Sequence, residues 1–366
     1  YALTVSPNGS EKIGGQTGTV VLETKGQSVT FVYTDSTQGW LNVQDSTSNA
    51  RAFPPFPIAT GGTITTDGDY KVHTFTSPGT FAFTQSGCST KNTTCYMVVA
   101  GGGGNGFAGG GAGGTRFFIN TTLGIPLACA PASPRNGYGS PSPSGTATTL
   151  TSSSYPITVG AGGAFTQSGT ANKGSDSIFS TITSTGGGGG GRDNQVPTFP
   201  TFGHGGSGGG NTGVSSTPST PAGSNGNQPP VTPSQGEPGG ASSDSSVNSV
   251  GYGGGGGFMG SGANGSNGPN GGQGNAGAGG IGGGFPTTII KSCAGTPGPV
   301  GSQRFFAGGG GGGAQQNPNP GGSDLSNGGY GGGGNGTRGY TGSSATPYGN
   351  ATANTGGGGG GGSNNG

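Results

Sequence analysis

Charged residues are scarce in this chain. They make up 6% of 366 residues, against about 25% in an average soluble protein, and the formal net charge is +1. Proteins that bind nucleic acids or anionic membranes rely on clustered positive charge, so the composition gives no electrostatic case for either partner. We therefore expect no nucleic acid partner.

Long apolar runs are also missing. Hydrophobic residues amount to 26%, and no run approaches the roughly 20 residues of a membrane-spanning helix, so no membrane insertion is predicted. So thin a hydrophobic content leaves a disordered low-complexity chain as an alternative. Order is favoured because nothing in the net charge keeps the chain expanded, and because strand-like segments alternate regularly with glycine runs. The start at Tyr1, without a methionine or a signal-like segment, leaves open a fragment or a processed product.

Cysteine and histidine are too few and too scattered for most site chemistry. The four cysteines are Cys88, Cys95, Cys129 and Cys293. Cys88 and Cys95 bracket a short loop between two predicted strands, which allows a hairpin disulfide, with two free thiols as the alternative. His73 and His204 lie far apart without a cysteine pair at zinc spacing, so no metal site is predicted.

The composition gives no support for catalysis. Matches to the dinucleotide-binding glycine pattern arise by chance in such a sequence, and no segment has the helical period that a nucleotide fold requires. Nothing places a nucleophile beside a base and an orienting acid. We expect neither enzyme activity nor a cofactor.

Glycine is what the chain has in excess, with 96 residues. In the stretch 262–284 glycine recurs at every third position, which is the period of the polyproline II helix. These glycines form one bare edge for close packing of another backbone, and an amide ladder of Asn264, Asn267, Asn270 and Gln273 suits the solvent side. The edge residues are Gly262, Gly265, Gly268, Gly271, Gly274, Gly277, Gly280 and Gly283.

One straight rod over 262–283 would reach about 68 Å, whereas a compact domain of this size is only about 50 Å across. The side-chain pattern changes after Gln273. We therefore predict a reversal near Asn275–Gly279, with two rods side by side through backbone hydrogen bonds.

The predicted fold is mainly β with a polyglycine II helix bundle and essentially no α-helix. Residues 1–53 carry β-branched and aromatic segments bounded by turns, which predicts a small antiparallel β unit in which Trp40 is a packing residue. The Pro-rich segment 54–57 is a stiff break, and 58–366 is a glycine-rich tip domain. Within it, 70–83 predicts a hairpin that turns at Ser77–Gly79.

Aromatic residues beside the glycine runs are predicted to plug the ends of the rod bundle. They are Phe107, Phe117, Phe118, Tyr252, Phe258, Phe285, Phe305 and Phe306.

Two stretches resemble known families. LTVSPNGSEKI followed by GQSVTFVYTDSTQGW resembles a β repeat common in phage tail fibres. The ordered series DGDYKVHTFTSPGTFAF, YMVVAGGGG, SYPITVGAGG, SIFSTITSTGGGGGG, FFAGGGGGG and NTGGGGGGG, across residues 60–362, resembles the glycine-rich domain of phage tail and adhesin proteins. A related resemblance is to the distal adhesin of T-even-type long tail fibres, in which polyglycine II helices are bundled and variable loops touch the host.

These resemblances imply a virion attachment protein that is extracellular on the tail fibre. Its partners would be a host surface glycan or outer-membrane protein, other virion proteins through the N-terminal part, and copies of itself in a homotrimer. The alternative is a structural virion or extracellular fibril component that contacts only neighbouring subunits.

Polar segments between the glycine runs predict surface loops or tips, at 192–202, 211–238, 314–327 and 338–354. A grouping of Arg338, Tyr340 and Tyr348 is the kind of surface that stacks on sugars or anchors a protein contact. Arg192 and Asn194 are the further candidates for receptor binding.

Overall fold

The computed structural model describes most of the chain in separate stretches. The described residues are 2–46, 57–67, 70–87, 93–118, 148–165, 171–192, 202–212, 222–243, 250–268, 274–287, 294–299, 301–314, 326–337 and 349–362.

The chain folds into two compact units. The first is Tyr1–Thr74, Thr80–Thr94 and Thr148–Tyr155, and the second is Phe75–Gly79, Cys95–Ala147 and Pro156–Gly366. Residues 54–56 lie outside the described residues, so the predicted boundary at 54–57 stays a prediction.

Regular secondary structure is almost entirely β. Phe202 and Gly203 are the only helical residues in the described stretches, in agreement with the predicted fold class. The strands are β1 (Leu3–Val5), β2 (Val20–Leu22), β3 (Val29–Asp35), β4 (Gly39–Asp45), β5 (Ile58–Thr60), β6 (Thr63–Asp67), β7 (Tyr70–Thr74), β8 (Gly79–Gln85), β9 (Thr93–Thr94), β10 (Tyr96–Val99), β11 (Thr115–Phe118), β12 (Thr148–Thr149), β13 (Ser153–Thr158), β14 (Ser177–Phe179), β15 (Ile182–Ser184), β16 (Gly283–Pro286) and β17 (Gln303–Phe306).

The N-terminal strands form two antiparallel ribbons, β1 with β2 and β3 with β4, as the alternating sequence predicts. Ile13 and Val20 are buried between them. The Trp40 ring packs edge-on against Tyr33 at 5.6 Å, and its Nε1 donates to a carboxylate oxygen of Glu11 at 3.0 Å. Trp40 is therefore held by packing and by one hydrogen bond.

The hairpin predicted across Ser77–Gly79 is wrong. β7 pairs in register with β6, from Thr63 opposite Thr74 to Asp67 opposite Tyr70, whereas β8 pairs with β5. β6 is separated from β7 by only two residues, so closing that ladder costs less chain entropy. β8 meanwhile buries Phe81 and Phe83.

In the second unit, short strands lead directly into glycine runs, as the sequence predicts. β10 is followed by Gly101, β15 by Gly186 and β17 by Gly308. Antiparallel partners hold these strands, since β10 pairs with β11, β15 with β14 and β17 with β16.

Hydrogen bonding along the glycine runs has a period of three. In run 186–191, residues three apart donate their backbone N–H groups to the same neighbouring run. The bonds are Gly187 to Gly101, Gly190 to Gly104, Gly188 to Ser207 and Gly191 to Gly210, each 2.9 Å long. A three-residue period is that of the polyproline II helix, which makes no internal hydrogen bonds and must satisfy its peptide groups on neighbours. We call such runs rods.

The rod 252–258 is bonded on all sides. Its N–H groups donate to three runs and its carbonyl groups accept from three others. The acceptor runs are 307–313, 208–211 and 260–263, and the donor runs are 109–112, 237–240 and 277–280. One rod is thus surrounded by six neighbouring runs in a hydrogen-bonded lattice. This arrangement leaves little room for side chains between the rods.

Six of the eight glycines of the predicted edge lie too close to other parts of the chain to carry a Cβ. A Cβ added at Gly262, Gly265 or Gly277 would lie 2.0 Å from a backbone oxygen of another rod, and those at Gly274 and Gly280 would clash as closely as 2.3 and 2.1 Å. A Cβ at Gly283 would meet the Phe258 ring at 2.7 Å, and Gly271 lies outside the described residues.

The two-rod prediction for this stretch is confirmed, but the position of the reversal is wrong. Ser266 and Asn275 exchange two antiparallel backbone hydrogen bonds of 2.9 and 2.8 Å, and Ala263 donates to Ala278. The chain direction therefore reverses between Ser266 and Asn275, before the predicted Asn275–Gly279. The chain cannot reverse within 275–279, because Gly277 and Gly280 donate hydrogen bonds three residues apart to rod 252–258 and this segment must therefore continue as a rod.

Candidate functional site

Aromatic clusters lie at both ends of the rod bundle. At one end the Phe107 ring stacks on Tyr252, with centroids 5.6 Å apart, beside Val250. At the other end Phe117 packs edge-on against Phe258 and Phe285, with Phe306 in the same cluster. We call these the Tyr252 end and the Phe258 end. Of the eight aromatics predicted to plug the bundle, all are buried except Phe118, which is half-buried.

The described residues that precede the four predicted polar loops lie at the Tyr252 end, as do those that precede 244–249, a segment that is not among the predicted loops. This follows from the described residues at their bases, each of which contacts a residue of that end. Ahead of 193–201 and 213–221, the carbonyl groups of Gly191 and Asn211 accept from the N–H groups of Phe107 and Gly253. Ahead of 244–249 and 315–325, Ser243 donates to Gly251, and Ala314 forms a β-bridge with Gly251. Ahead of 338–348, Thr337 donates to Gly361, whose neighbour Gly362 donates to Gly106. The rods therefore bring the bases of segments that are far apart in sequence to one end.

Fewer segments leave from the opposite end. Phe118 precedes 119–147, and Ala294, which follows 288–293, packs against the Phe258 cluster. Strands β11, β16 and β17 occupy this end.

Of the predicted receptor-binding residues, Arg192 is described. Its guanidinium carbon lies 5.3 Å from the centroid of the Phe107 ring, a cation–π geometry that fixes a positive charge at the Tyr252 end. Asn194, Arg338, Tyr340 and Tyr348 lie outside the described residues and stay predictions. Cys88 does as well, so the possible disulfide with Cys95 is untested.

Part of the predicted loop 211–238 belongs to the bundle. Gln235 is fully buried: its Oε1 accepts from the backbone N–H of Thr185 at 2.9 Å, and its Nε2 donates to the Thr185 hydroxyl at 3.2 Å. Glu237 and Gly240 accept hydrogen bonds from Gly208 and Asn211. The expectation of a surface loop is therefore wrong for 235–237, because the buried Gln235 amide takes the place of a backbone partner for Thr185 after β15, whereas 229–233 are half-buried or exposed as expected.

His204 is held at the base of the segment 193–201. Its Nδ1 accepts the backbone N–H of Asn225 at 2.8 Å. Burial lowers the pKa of His204 below its ordinary value; the backbone hydrogen bond with Asn225 acts in the opposite direction, and the positive charge of Lys173 lowers the pKa further. The folded state therefore disfavours the charged imidazole.

We expect the melting temperature to fall as the pH is lowered from 7 to 5. Because the folded pKa of His204 is depressed, its stabilising contribution is complete above the unfolded pKa of about 6.5 and is lost as the pH falls through the folded value. Differential scanning calorimetry of the wild type and His204→Asn measures this. A smaller pH dependence in the variant is expected, and equal slopes for the two proteins would contradict the assignment.

The described residues give no sign of other site chemistry. They contain no group of three or more His, Cys, Asp or Glu side chains placed to share a metal ion. No helix in the described stretches is long and apolar enough to cross a membrane.

Comparisons of the chain with protein-family models, curated proteins and solved structures found no match.

Proposed function

We propose that this chain is a virion attachment protein, the distal part of a phage tail fibre, which binds the host surface through polar segments held on a glycine rod bundle. The observation that carries the proposal is the gathering of loop bases at the Tyr252 end. A bundle end that carries several polar segments would present them together to one receptor.

Rigid bases support an adhesive role. Binding is weakened by the conformational entropy that mobile segments lose when they contact a receptor. Because the rods fix the bases of these segments when the protein folds, less entropy is lost on binding. Several copies on one particle would then multiply weak contacts through their effective concentration. No catalytic step is part of the proposal. The expected receptor is a host surface glycan or an outer-membrane protein.

The second candidate function is that of a structural component that binds only neighbouring subunits. It is supported by exposed apolar residues in the first unit. Leu3, Val43, Val21 and Val32 are 62%, 59%, 47% and 44% exposed on β1 to β4. Within the attachment proposal, this surface fits the expected contacts with other virion proteins and with further copies in a homotrimer.

Loop exchange tests the proposal. Replacing residues 338–348 with an unrelated polar sequence of equal length should leave melting unchanged, provided that 349–354 are kept, because Gly349 and Thr352 hydrogen-bond to rod residues Gly360 and Gly332. Binding of the purified chain to host cells should fall by about tenfold or more, the effect of removing roughly 1.4 kcal/mol of contact energy.

The matched control is an equal exchange of 288–293, whose following residue packs at the Phe258 end. It should leave cell binding unchanged. If every exchange at the Tyr252 end also left cell binding intact, the attachment proposal would fail and the structural candidate would be favoured.

A further inference from the structure

Five Asn-Gly pairs with an exposed asparagine occur in the described stretches. Their asparagines are Asn8, Asn225, Asn264, Asn327 and Asn335. In such a pair the backbone nitrogen of the glycine can attack the side-chain carbonyl carbon of the asparagine, because glycine has no side chain that blocks the approach. We propose that the turn at Asn8 and Gly9 is a site of spontaneous deamidation, at which the folded chain converts Asn8 to aspartate and isoaspartate.

The only co-reactant of this conversion is water. The Gly9 nitrogen loses its proton and forms a bond to Cγ of Asn8, while the bond from Cγ to the side-chain nitrogen breaks, so that ammonia leaves and a cyclic imide remains. Water then opens the ring at either carbonyl group, and no electrons are transferred. Opening at one carbonyl gives aspartate, and opening at the other gives isoaspartate, in which the main chain passes through the former side chain. The first step requires a glycine N–H that is not held in a hydrogen bond.

In three of the five pairs the glycine N–H is held by a hydrogen bond. The bonds are Gly265 to Ala241 at 2.9 Å, Gly328 to Oδ1 of Asn335 at 2.9 Å and Gly336 to Ser326 at 2.8 Å. Asn264 is held a second time, because its Oδ1 accepts the N–H of Ala241 at 2.8 Å. Ring closure in these pairs would break hydrogen bonds of the rod lattice.

Asn225 is fixed on both sides, although the N–H of Gly226 has no partner within the described residues. The Asn225 N–H donates to Nδ1 of His204 at 2.8 Å, and its carbonyl accepts from Gly205 at 3.4 Å. A Cβ placed on Gly226 would lie 2.4 Å from backbone atoms of Glu237. Ring closure at Asn225 would therefore require packed segments to move.

Asn8 and Gly9 have neither restraint. In the part of the chain that the structure describes, neither the Gly9 N–H nor the Asn8 side chain has a hydrogen-bond partner. The N–H of Glu11 donates to the Asn8 carbonyl at 3.0 Å and closes the turn. Gly9 has a φ of +55°, and a Cβ placed on it would meet no atom within 4 Å. The attacking nitrogen is thus unbonded in open surroundings.

Deamidation changes both the charge and the shape of this turn. Conversion of Asn8 adds one carboxylate, which would bring the formal net charge from +1 to 0. In the isoaspartate product, the carbonyl group that accepts from Glu11 no longer belongs to the main chain, and the turn is longer by one methylene group.

Peptide mapping by mass spectrometry tests the inference. The folded full chain is incubated at mildly alkaline pH, and the mass gain of deamidation is followed at each Asn-Gly pair. Trypsin cleaves after Lys12, and Asn8 is the only amide side chain in 1–12, so a mass gain in this peptide reports Asn8 alone. We expect Asn8 to react about tenfold faster than Asn264 or more, because ring closure at Asn264 first breaks two hydrogen bonds.

The unfolded chain is the matched control. In guanidinium chloride Asn8 and Asn264 should react at similar rates, because each is followed by glycine and the hydrogen bonds are absent. Asn8→Gln keeps an exposed amide but requires a larger ring, so peptide 1–12 of this variant should show no mass gain over the same time. Its melting should equal that of the wild type, since the Asn8 side chain holds no partner in the described residues. Equal rates at the two sites in the folded chain, or no reaction at folded Asn8 while the unfolded chain reacts there, would each overturn the assignment.

Discussion

Replacing Gly255 with alanine is expected to destabilise the second unit by about 3 kcal/mol or more, and to lower its melting temperature by roughly 6 °C or more. An added Cβ would lie 1.9 Å from the carbonyl oxygen of Gly110 and 2.4 Å from its carbonyl carbon. Gly255 donates to Gly310 and accepts from Gly280, both at 2.8 Å, so moving this rod breaks bonds on several sides. Calorimetry measures the loss.

Gly162→Ala is the control, since the nearest atom to its added Cβ is the Gly102 oxygen at 3.7 Å. It should leave melting unchanged or raise it slightly, because alanine restricts the unfolded chain more than glycine does. Gly163→Ala in the same rod should behave like the Gly255 variant, with a clash of 2.1 Å against the Asn172 oxygen. Similar melts for the variants at 162 and 163 would contradict the close packing of these rods.

The three-residue register is the part of the fold most readable from the sequence. Glycine at every third position has one physical meaning, a backbone that another backbone must approach, and Gly262, Gly265 and Gly277 each meet a carbonyl oxygen. The amide ladder is less uniform. Asn264 is exposed as expected, but its side chain also accepts from Ala241, and Oδ1 of Asn267 is buried.

Features that depend on contacts between distant segments cannot be read in this way. The change of side-chain pattern after Gln273 predicts a reversal there. In the structure, Gly277 and Gly280 donate hydrogen bonds to rod 252–258, and no local sequence pattern indicates these bonds. Gln235 is similar. The polar residues around Gln235 indicate a loop. In the structure, however, the peptide N–H of Thr185, fifty residues away in sequence, donates to the Gln235 side chain, which is therefore buried.

The candidate site is only partly predictable for the same reason. Composition identifies the polar segments, including the one that contains Arg192. The alternation of polar segments with glycine runs does not show at which end of the rod bundle each polar segment begins. Rod direction decides this. Gly109 and Ala112 donate to Gly253 and Gly256 in parallel, so Phe107 and Tyr252 share one end, and that relation is fixed only by the folded lattice.

Phe117→Ala is expected to cost about 3–5 kcal/mol, the usual range for a buried phenylalanine. Phe117 is 1% exposed, and its ring packs edge-on against Phe285 at 5.2 Å and Phe258 at 6.3 Å. In a chain with 26% hydrophobic residues, this cluster is one of few places where apolar burial can stabilise the ends of the rods. Thermal melts compare it with Phe202→Ala, where the ring is 39% exposed and a loss below about 1 kcal/mol is expected.

The position of Phe117 adds a second expectation. Because it lies at the Phe258 end, its loss should lower the melting temperature without changing host-cell binding at temperatures where the variant is folded. Arg192→Ala should reduce cell binding and lower the melting temperature only slightly, since its guanidinium lies over Phe107 at the Tyr252 end and such a contact contributes about 0.5–1 kcal/mol. Equal losses of stability for Phe117→Ala and Phe202→Ala would mean that the rod ends are held by backbone hydrogen bonds alone, and reduced cell binding by folded Phe117→Ala would mean that the receptor contact is not confined to the Tyr252 end.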